Sequence, residues 1–283
     1  MLKQLIFTSL MPWLCRLLRI FWTPGPALRQ RLKFHGPFSL NMKNGQKLRI
    51  WNQGFFLENE LFWLGEKDFD WEKTSREIWG EACENADVIL DIGANTGLYS
   101  LFAKAANPAA TVFAFEPQPN IFSFLQKQNQ LNGFDIQCRQ LALSNQQGEL
   151  PFYNYGDDAF DTNNTTAGSL NPDWRSENQQ QIMVPVTRLA DFLDQENIAK
   201  VDLIKIDVET LEPEVLEGYG ELLKIHRPNM LIEIQSEEIG ARVARLLEGA
   251  DYQLFKIKEG EGKEAVDSLG GDAKHHNYWL MAR

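Results

Sequence analysis

The sequence has few of the residues that build disulfide bridges or metal sites. It contains three cysteines, Cys15, Cys83 and Cys138, an odd number with no C-x-x-C pair. A disulfide framework and a zinc site are therefore not expected. The four histidines show no H-E-x-x-H spacing. This composition fits a reducing, cytoplasmic setting, and we predict no metal ion.

The N-terminal segment lacks the uninterrupted apolar run of a membrane-spanning helix. Residues 1–23 are rich in Leu, Phe and Trp, but Arg16 and Arg19 interrupt them. The run ends well short of the ~20 apolar residues that a span needs, and no small-residue cleavage site of a signal peptide follows. Its apolar residues recur at helical spacing, which predicts an amphipathic helix.

Acidic residues are missing from the first 57 positions. Glu58 is the first acid, and nine Lys or Arg residues precede it. The remainder carries 28 − 9 = 19 basic against 39 acidic residues, a balance of −20 within a net charge of −11. So acidic a body excludes a general nucleic-acid binder, because neutralising phosphates requires a basic face.

The basic segment 1–33 leaves two interpretations open. In one, its helix packs on the protein itself or on a second copy of the chain, which would give a homo-oligomer. In the other, it lies in the plane of an anionic membrane, as a peripheral contact on the inner face, with "LRQRLK" as basic support. The Trp and Arg content slightly favours the membrane.

Alternating apolar residues around Asn44-Gly45 predict a β-hairpin, and "WEKTSREIWGEACENA" predicts a helix. From residue 87 onward, strand and helix patterns alternate, which is typical of an α/β fold with a doubly wound, mostly parallel sheet. The seven predicted strands are Val88–Asp91, Thr111–Phe115, Ile136–Leu143, Leu203–Val208, Met230–Ile234, Tyr252–Ile257 and Tyr278–Met281. The predicted helices between them are Gly97–Ala106, Asn120–Leu131, Pro213–Lys224 and Glu237–Glu248.

These patterns predict a division of the chain. The segment 1–33 precedes a domain at 34–283, in which 34–86 forms the hairpin and helix and 87–283 a Rossmann-like core. The core is interrupted by a polar insertion at 148–191, which contains "DDAFDTNNTTAGSLNPDW". A polar insertion of this length in a compact fold is more often a functional loop or a lid than slack chain.

The clearest motif is "VILDIGANTGLYSLF", in which a buried strand ends in Asp91 and a glycine-rich turn enters a helix. In doubly wound folds ligands bind at the carboxyl ends of the strands. The dinucleotide pattern G-x-G-x-x-G lacks its second Gly here, because Asn95 stands in its place. An acid before the turn would repel a pyrophosphate and suits a cationic ligand with an amine and a sulfonium. The next strand ends in "FAFEP", where Glu116 is placed to accept hydrogen bonds from both ribose hydroxyls.

The sequence resembles the FkbM-type S-adenosylmethionine-dependent methyltransferases. The matching segments stand in family order: "VILDIGANTGLYSLFA", "VFAFEPQPNIFSFLQKQNQLNG", "QLALSNQQGEL", "VPVTRLADFL", "VDLIKIDVETLEPEVLEG" and "RPNMLIEI". The resemblance implies a class I methyltransferase fold, S-adenosyl-L-methionine as cofactor, and methyl transfer to a hydroxyl oxygen of a saccharide or polyketide. On these segments we predict as cofactor-binding residues Asp91, Gly93, Ala94, Asn95, Gly97, Tyr99, Ser100, Glu116, Pro117, Asn120, Ala142 and Leu143.

Charges recur at every second position of the strand "VDLIKIDVE", at Lys205, Asp207 and Glu209. A buried unpaired charge is costly, so a central strand with three charges suggests a reaction centre. We predict Asp207 as positioning group or general base, with Glu209 second and Glu233 completing an acidic cluster. Two alternatives are a structural salt bridge with Lys205 and a divalent cation held by the acids.

The sequence therefore predicts an S-adenosylmethionine-dependent O-methyltransferase that acts on a glycan, a lipid-linked sugar or a similar hydroxylated natural product. One departure from the family pattern is Thr210, where the family usually has Gly after "IDVE"; its side chain affects the expected shape of the acceptor pocket. A non-catalytic cofactor-binding scaffold in a glycan-assembly complex therefore stays open, as does, less favoured, a nicotinamide-dependent oxidoreductase.

Overall fold

The computed structural model describes residues 10–42, 45–155, 168–173, 179–271 and 274–283. Three predicted features fall partly outside these residues: the start of the basic segment at 1–9, Asn44 in the hairpin turn, and 156–167 and 174–178 within the polar insertion.

The N-terminal part places a helix and a hairpin against the body of the protein. Its elements are α1 (Met11–Phe21), α2 (Pro26–Arg29), β1 (Gly36–Asn41), β2 (Lys47–Asn52), α3 (Phe56–Asp68) and α4 (Lys73–Cys83). β1 and β2 pair antiparallel, so the predicted hairpin is confirmed, as is the helix predicted at "WEKTSREIWGEACENA". Apolar side chains of the hairpin, among them Leu40, Leu48 and Ile50, share one core cluster with residues of the body.

The body alternates strands and helices, as the sequence predicts. Its elements are β3 (Val88–Ile92), α5 (Leu98–Ala106), β4 (Thr111–Phe115), α6 (Pro119–Asn132), β5 (Gln137–Arg139), β6 (Ala142–Ser144), β7 (Gly148–Tyr155), β8 (Gly168–Ser169), β9 (Gln179–Arg188), α7 (Leu189–Gln195), β10 (Leu203–Ile206), α8 (Glu212–Tyr219), α9 (Leu222–His226), β11 (Asn229–Glu233), α10 (Glu237–Leu246), β12 (Tyr252–Lys258), β13 (Gly262–Val266) and β14 (Asn277–Ala282).

The main sheet, as far as the described residues define it, has eight strands and not the predicted seven. Their order is β13-β12-β14-β11-β10-β3-β4-β5. The five strands from β11 to β5 run parallel, and each of the other three pairs antiparallel with its neighbours. The unpredicted strand is β13, whose sequence "GKEAV" is mostly exposed. It forms the edge, where charged side chains hinder pairing with another chain, and it therefore carries no hydrophobic pattern.

A second sheet corrects two further predictions. The single strand predicted over Ile136–Leu143 is two strands, because β5 joins the main sheet while β6 pairs with β9. The flanks of the predicted polar loop are the long antiparallel pair β7 and β9, and the sheet order is β6-β9-β7-β8. Phe152, Val184 and Val186 of these strands are buried together. Polar neighbours such as Gln179–Gln181 hide the alternation of apolar and polar residues that would predict these strands from the sequence.

Strand β10 lies between β3 and β11, which confirms the predicted central position beside the strand of Asp91. Alternate side chains of the sheet enter two core clusters. Ile89 and Leu203 pack on the side of the N-terminal helices, whereas Leu90 and Ile204 pack on the side of α7 and α8. The site-bearing ends of the strands therefore sit between two packed layers.

Candidate active site

The pleat of two neighbouring strands brings opposite charges together. Asp91 of β3 and Lys205 of β10 are register partners. Both point to the same face of the sheet as Ile89 and Leu203, since side chains of a strand alternate. Both are buried. Asp207 follows the end of β10 directly.

A cavity of about 330 Å³ opens at this end of the parallel strands. Its walls include all three predicted catalytic residues, Asp207, Glu209 and Glu233. They also include nine of the predicted cofactor-binding residues: Asp91, Gly93, Ala94, Asn95, Tyr99, Glu116, Pro117, Ala142 and Leu143.

The other three predicted cofactor-binding residues are not among the lining residues. Gly97 is the left-handed residue before α5, and a Cβ atom there would lie 2.5 Å from Leu125 Cδ1. Ser100 is buried behind Asp91 and donates its hydroxyl hydrogen to Asp91 Oδ2. Asn120 is exposed in the first turn of α6.

The glycine turn is held against the neighbouring strands by its backbone. The N–H groups of Gly93 and Ala94 donate to the carbonyl oxygen of Phe115 over 3.1 and 2.8 Å. Gly93 has φ +80°, and a Cβ atom there would lie 1.8 Å from the carbonyl oxygen of Asp207. Only glycine allows so close an approach in this backbone conformation.

Asp91 keeps one oxygen without a partner. Its Oδ1 atom is buried and makes no hydrogen bond with any described residue. Burial raises the pKa of Asp91, while nearby Lys205 and the Ser100 hydroxyl lower it. An unsatisfied buried carboxylate oxygen is costly, so the position suits a ligand that brings a hydrogen-bond donor.

Glu116 follows β4 and forms the other acidic wall. Its Oε2 atom accepts from the Asn95 N–H over 3.0 Å and its Oε1 atom from the Gln118 N–H over 2.8 Å. Burial raises the pKa of Glu116 to about 7, against the effect of these hydrogen bonds. The turn thereby fixes the carboxylate with lone pairs left for two further donors.

Lys205 is the centre of a buried charge cluster. Its Nζ atom lies 2.8 Å from Asp207 Oδ2 and 4.7 Å from the centre of the Tyr99 ring. Burial lowers the pKa of Lys205, but Asp207, Asp91 and Glu72 together raise it above its ordinary value. The salt bridge that was the alternative to a catalytic role therefore exists, yet Asp207 also lines the cavity with its side chain 30% exposed.

Glu209 lines the cavity, but from a loop and not from the strand that the sequence predicted. β10 ends at Ile206, and Glu209 has φ +55°. The amide of Gln235 donates to both Glu209 Oε2 and Glu233 Oε2 over 2.8 Å, which joins the two acids. Burial first, then Asp207 and Glu209, raise the pKa of Glu233 to about 9. Glu233 is therefore protonated near neutral pH.

Thr210 does not occupy the cavity, contrary to the expected effect on pocket shape. It is not among the lining residues that the structure describes. It also does not cap the following helix, as Leu211 holds that position. Its hydroxyl accepts from the Asn171 amide over 2.8 Å, and Ser169 donates to the Glu209 carbonyl oxygen over 2.8 Å. These bonds fasten the second sheet to the loop after β10.

Some site residues had no sequence signal. Glu72, with φ +45°, lines the cavity and accepts from the Tyr99 hydroxyl over 2.6 Å. Glu212 is fully buried behind the loop; its Oε1 atom accepts from the N–H groups of Val208 and Thr210, and its Oε2 atom has no described partner. Both stand in ordinary polar stretches, where an acid is usually a solvated surface residue.

The arrangement fits S-adenosylmethionine. The unpartnered Asp91 oxygen offers an acceptor to an ammonium group, and Glu116 offers two acceptor positions to a diol. Among the described residues, no three His, Cys, Asp or Glu side chains are placed to hold a metal ion.

Comparison with known proteins identifies the family of the chain. The family model "Methyltransferase FkbM domain" matches residues 91–254, more than half of the chain. The 31-O-demethyl-FK506 methyltransferase FkbM of Streptomyces tacrolimicus is 30% identical over 50% of this chain and 66% of its own length. The hexuronic acid methyltransferase AglP of Haloferax volcanii is 27% identical over 51% of this chain and 54% of its own. The chain thus spans less than two thirds of either relative.

Among solved structures, a crystal structure of methyltransferase FkbM from Methylobacillus flagellatus KT superposes with a TM-score of 0.44 and 15% identity, over 69% of this chain and 43% of that one. The resemblance first seen in the motifs is confirmed by the family match, which covers residues 91–254. The chain belongs to the FkbM methyltransferase family and has the α/β fold of the class I methyltransferases.

Proposed function

We propose that this protein is an S-adenosylmethionine-dependent O-methyltransferase whose acceptor is a hydroxyl group of a saccharide or a similar hydroxylated natural product. The observation that carries the proposal is the meeting of three acids from separate segments in one cavity. Asp91 lies near the end of β3, Glu116 follows the neighbouring strand β4, and Asp207 follows the central strand β10.

Asp91 and Glu116 would hold the cofactor. The free Oδ1 atom of Asp91 accepts from its ammonium group, and Glu116 accepts from the ribose hydroxyls. S-adenosylmethionine, when bound, supplies an electrophilic methyl group. Gly93, Ala94 and Asn95 of the glycine turn line the cavity between these two acids.

Asp207 would accept the proton of the acceptor hydroxyl. The ion pair with Lys205 fixes Oδ2, which orients the carboxylate for proton transfer from the acceptor hydroxyl. Glu233, protonated near neutral pH because of its raised pKa, donates a hydrogen bond to the acceptor. Glu209 is tied to it through Gln235 and shapes the same wall.

The cavity walls support a saccharide acceptor. The aromatic side chains that line the cavity include Phe56 and Trp71, and aromatic faces pack well against the apolar faces of sugar rings. Phe62, Trp63 and Trp79, by contrast, are fully buried in the core. The names of the two curated relatives also point to O-methylation and to a hexuronic acid.

The test is a turnover assay with S-adenosylmethionine and uronic-acid oligosaccharides as acceptors. We expect S-adenosylhomocysteine and a product heavier by one methyl group in equal amounts, detected by mass spectrometry. Asp91→Asn should lower affinity for S-adenosylhomocysteine and leave the fold intact, whereas Asp202→Asn at the opposite end of the sheet should change neither.

Two outcomes separate the alternatives. Binding of S-adenosylhomocysteine without turnover on any hydroxylated acceptor would favour a scaffold. Binding of NADH without S-adenosylhomocysteine would favour an oxidoreductase and overturn the proposal. Where methyl transfer is observed, mass spectrometry of surface glycans from a deletion strain would identify the acceptor.

A further inference from the structure

Helix α1 exposes its apolar residues to solvent. One side is docked: Pro12 and Cys15 are buried, and Leu18 packs against the main core. The opposite side, here called the α1 apolar face, consists of side chains that are 39–82% exposed, namely Leu10, Trp13, Leu14, Leu17, Ile20 and Phe21. Six large apolar side chains on one helix face are far more than the scattered apolar residues of an ordinary surface.

A groove beside this face has two arginines and no acid. The arginine groove lies between α1 and β1 and is lined by Arg16, Arg19, Ile20, Pro37, Phe38, Ser39 and Phe62. Arg16 donates one N–H to the Pro37 carbonyl oxygen and is exposed on the flank of the helix. The groove therefore offers a cationic wall directly next to an apolar surface.

Arg19 has no counter-ion among the residues that the structure describes. Its guanidinium stacks 4.9 Å above the Phe62 ring, and it makes no hydrogen bond or ion pair with any residue that the structure describes. Its burial lowers the pKa of Arg19. A half-buried guanidinium with free N–H donors is stabilised by a bound anion, and phosphate is a preferred partner of arginine.

We propose that the arginine groove binds the phosphate of an anionic phospholipid while the α1 apolar face enters the headgroup–acyl boundary of the bilayer. The helix then lies in the membrane plane, with Trp13 and Phe21 in the interface and Arg16 at phosphate level. No described helix is long and apolar enough to span a bilayer, so the contact is peripheral.

The charges favour a membrane over a second copy of the chain. The arginine groove contains no acidic residue, so pairing two α1 apolar faces would bring four arginines together without compensation. An anionic bilayer supplies both apolar depth and the missing negative charge. The interaction requires no methyl transfer and is independent of the proposed function.

The test is flotation of the full chain with vesicles of phosphatidylcholine, with and without phosphatidylserine. We expect binding only to the vesicles that contain phosphatidylserine, and its loss as salt rises. Ile20→Ser should weaken partition roughly tenfold, and Arg16→Glu roughly thirtyfold, because it changes the charge by two units.

Matched controls are available on the opposite side of the molecule. Ile225, on α9, is 69% exposed against 71% for Ile20, so Ile225→Ser has the same chemistry away from the helix. Lys224→Glu reverses an exposed charge in the same place. Both should bind vesicles as the unaltered chain does, and circular dichroism should show all four variants folded.

Several results would overturn the proposal. One is equal flotation with vesicles that contain phosphatidylserine and with vesicles that lack it. Another is an equal loss of vesicle binding in the test and the control variants. A third is calorimetric binding of inorganic phosphate without any vesicle binding. A concentration-dependent dimer that Ile20→Ser dissociates, without vesicle binding, would instead make the α1 apolar face a subunit interface.

Discussion

At the scale of single residues, the pair formed by Lys205 and Asp207 makes a sharp test of the reaction centre. Asp207→Asn keeps the size of the side chain and removes its charge. We expect the single-turnover rate to fall by roughly 10²–10⁴-fold, the usual contribution of a positioned acid or base. Because Asp91 and Glu72 remain near Lys205, the free energy of unfolding should fall by only about 1–2 kcal/mol, less than a lone buried charge costs.

Rates and denaturant melts on one preparation measure both effects. Asp202→Asn, which also loses an ion pair with a lysine, here Lys200, serves as control and should keep full activity. A strongly destabilised Asp207→Asn protein with an unchanged rate would show that Asp207 only balances Lys205.

The carboxyl of Glu116 predicts how cofactor affinity depends on pH. Its pKa of about 7 in the free protein means that the carboxyl gains a proton as pH falls through 7. Only the ionised form accepts from both ribose hydroxyls, so affinity for S-adenosylhomocysteine should fall by up to about tenfold per pH unit below 7.

Calorimetry at pH 6 and pH 8 measures this dependence. Glu116→Gln has no titrating group at this position. It should bind S-adenosylhomocysteine more weakly than the unaltered protein by roughly 1–3 kcal/mol, and its affinity should depend less on pH. The idea fails if the variant retains the slope of the unaltered protein.

At the scale of elements, the loop after β10 holds Thr210 in a strained backbone conformation. In this conformation the Thr210 hydroxyl accepts a hydrogen bond from Asn171, next to the second sheet. The φ of Thr210 is +82°, and a β-branched residue there costs roughly 1–3 kcal/mol. Thr210→Gly removes this strain and the bond to Asn171, so stability should stay level or rise by about 1 kcal/mol. Thr210→Val keeps the strain and loses the bond, so stability should fall by about 1 kcal/mol.

Urea titration of the two variants side by side gives the comparison, since both lose the hydroxyl bond and only Thr210→Val keeps the strain. Thr210→Gly should also loosen the contact of Ser169 and Asn171 with this loop, which hydrogen exchange of that segment reports. Greater destabilisation in Thr210→Gly than in Thr210→Val would show that the backbone there is not strained.

The same elements show which parts of the fold and the site are readable in the sequence. β3, its glycine turn and β4 were predicted within a residue, because a buried parallel strand and a positive-φ turn demand particular residues. β13 has no apolar face to reveal it, and β6, β7 and β9 alternate too weakly against polar neighbours. Glu72 and Glu212 acquire their environment only from distant segments, so nothing local distinguishes them.

At the scale of the whole molecule, several buried carboxyls give stability an unusual pH dependence. Burial raises the pKa of Glu212 to about 8 and that of Glu233 to about 9, against ~4.3 in an unfolded chain. Between these values the native state holds protons that the unfolded state releases. The free energy of unfolding should therefore fall as pH rises from about 5 to 9, by up to about 1.4 kcal/mol per pH unit for each such group.

Glu212→Gln removes one of these groups. The difference between the free energy of unfolding of this variant and that of the unaltered protein should shift in favour of the variant from pH 6 to pH 9. Urea titrations at the two pH values measure it. Glu237→Gln, on the exposed first turn of α10, is the control and should follow the unaltered protein. A constant offset for Glu212→Gln at both pH values would contradict the raised pKa.

The position of β14 has a consequence for the order of events during synthesis on the ribosome. Residues 277–282 insert between β11 and β12, although β12 and β13 are made first. Until those residues emerge, β11 presents an open edge and the β12–β13 hairpin has no neighbour to join. The hairpin turn also supplies Glu259, which accepts from the N–H groups of Thr74 and Ser75 at the start of α4, beside Glu72.

From the synthesis of β11 until that of β14, the nascent chain therefore carries an unpaired apolar strand edge, a state prone to aggregation. Glu259, which binds the start of α4 beside Glu72, is also synthesised 185 residues after its partner Thr74. We expect holdase chaperones to engage this chain between the emergence of β11 and that of β14, and the cofactor to gain no hold on it before then.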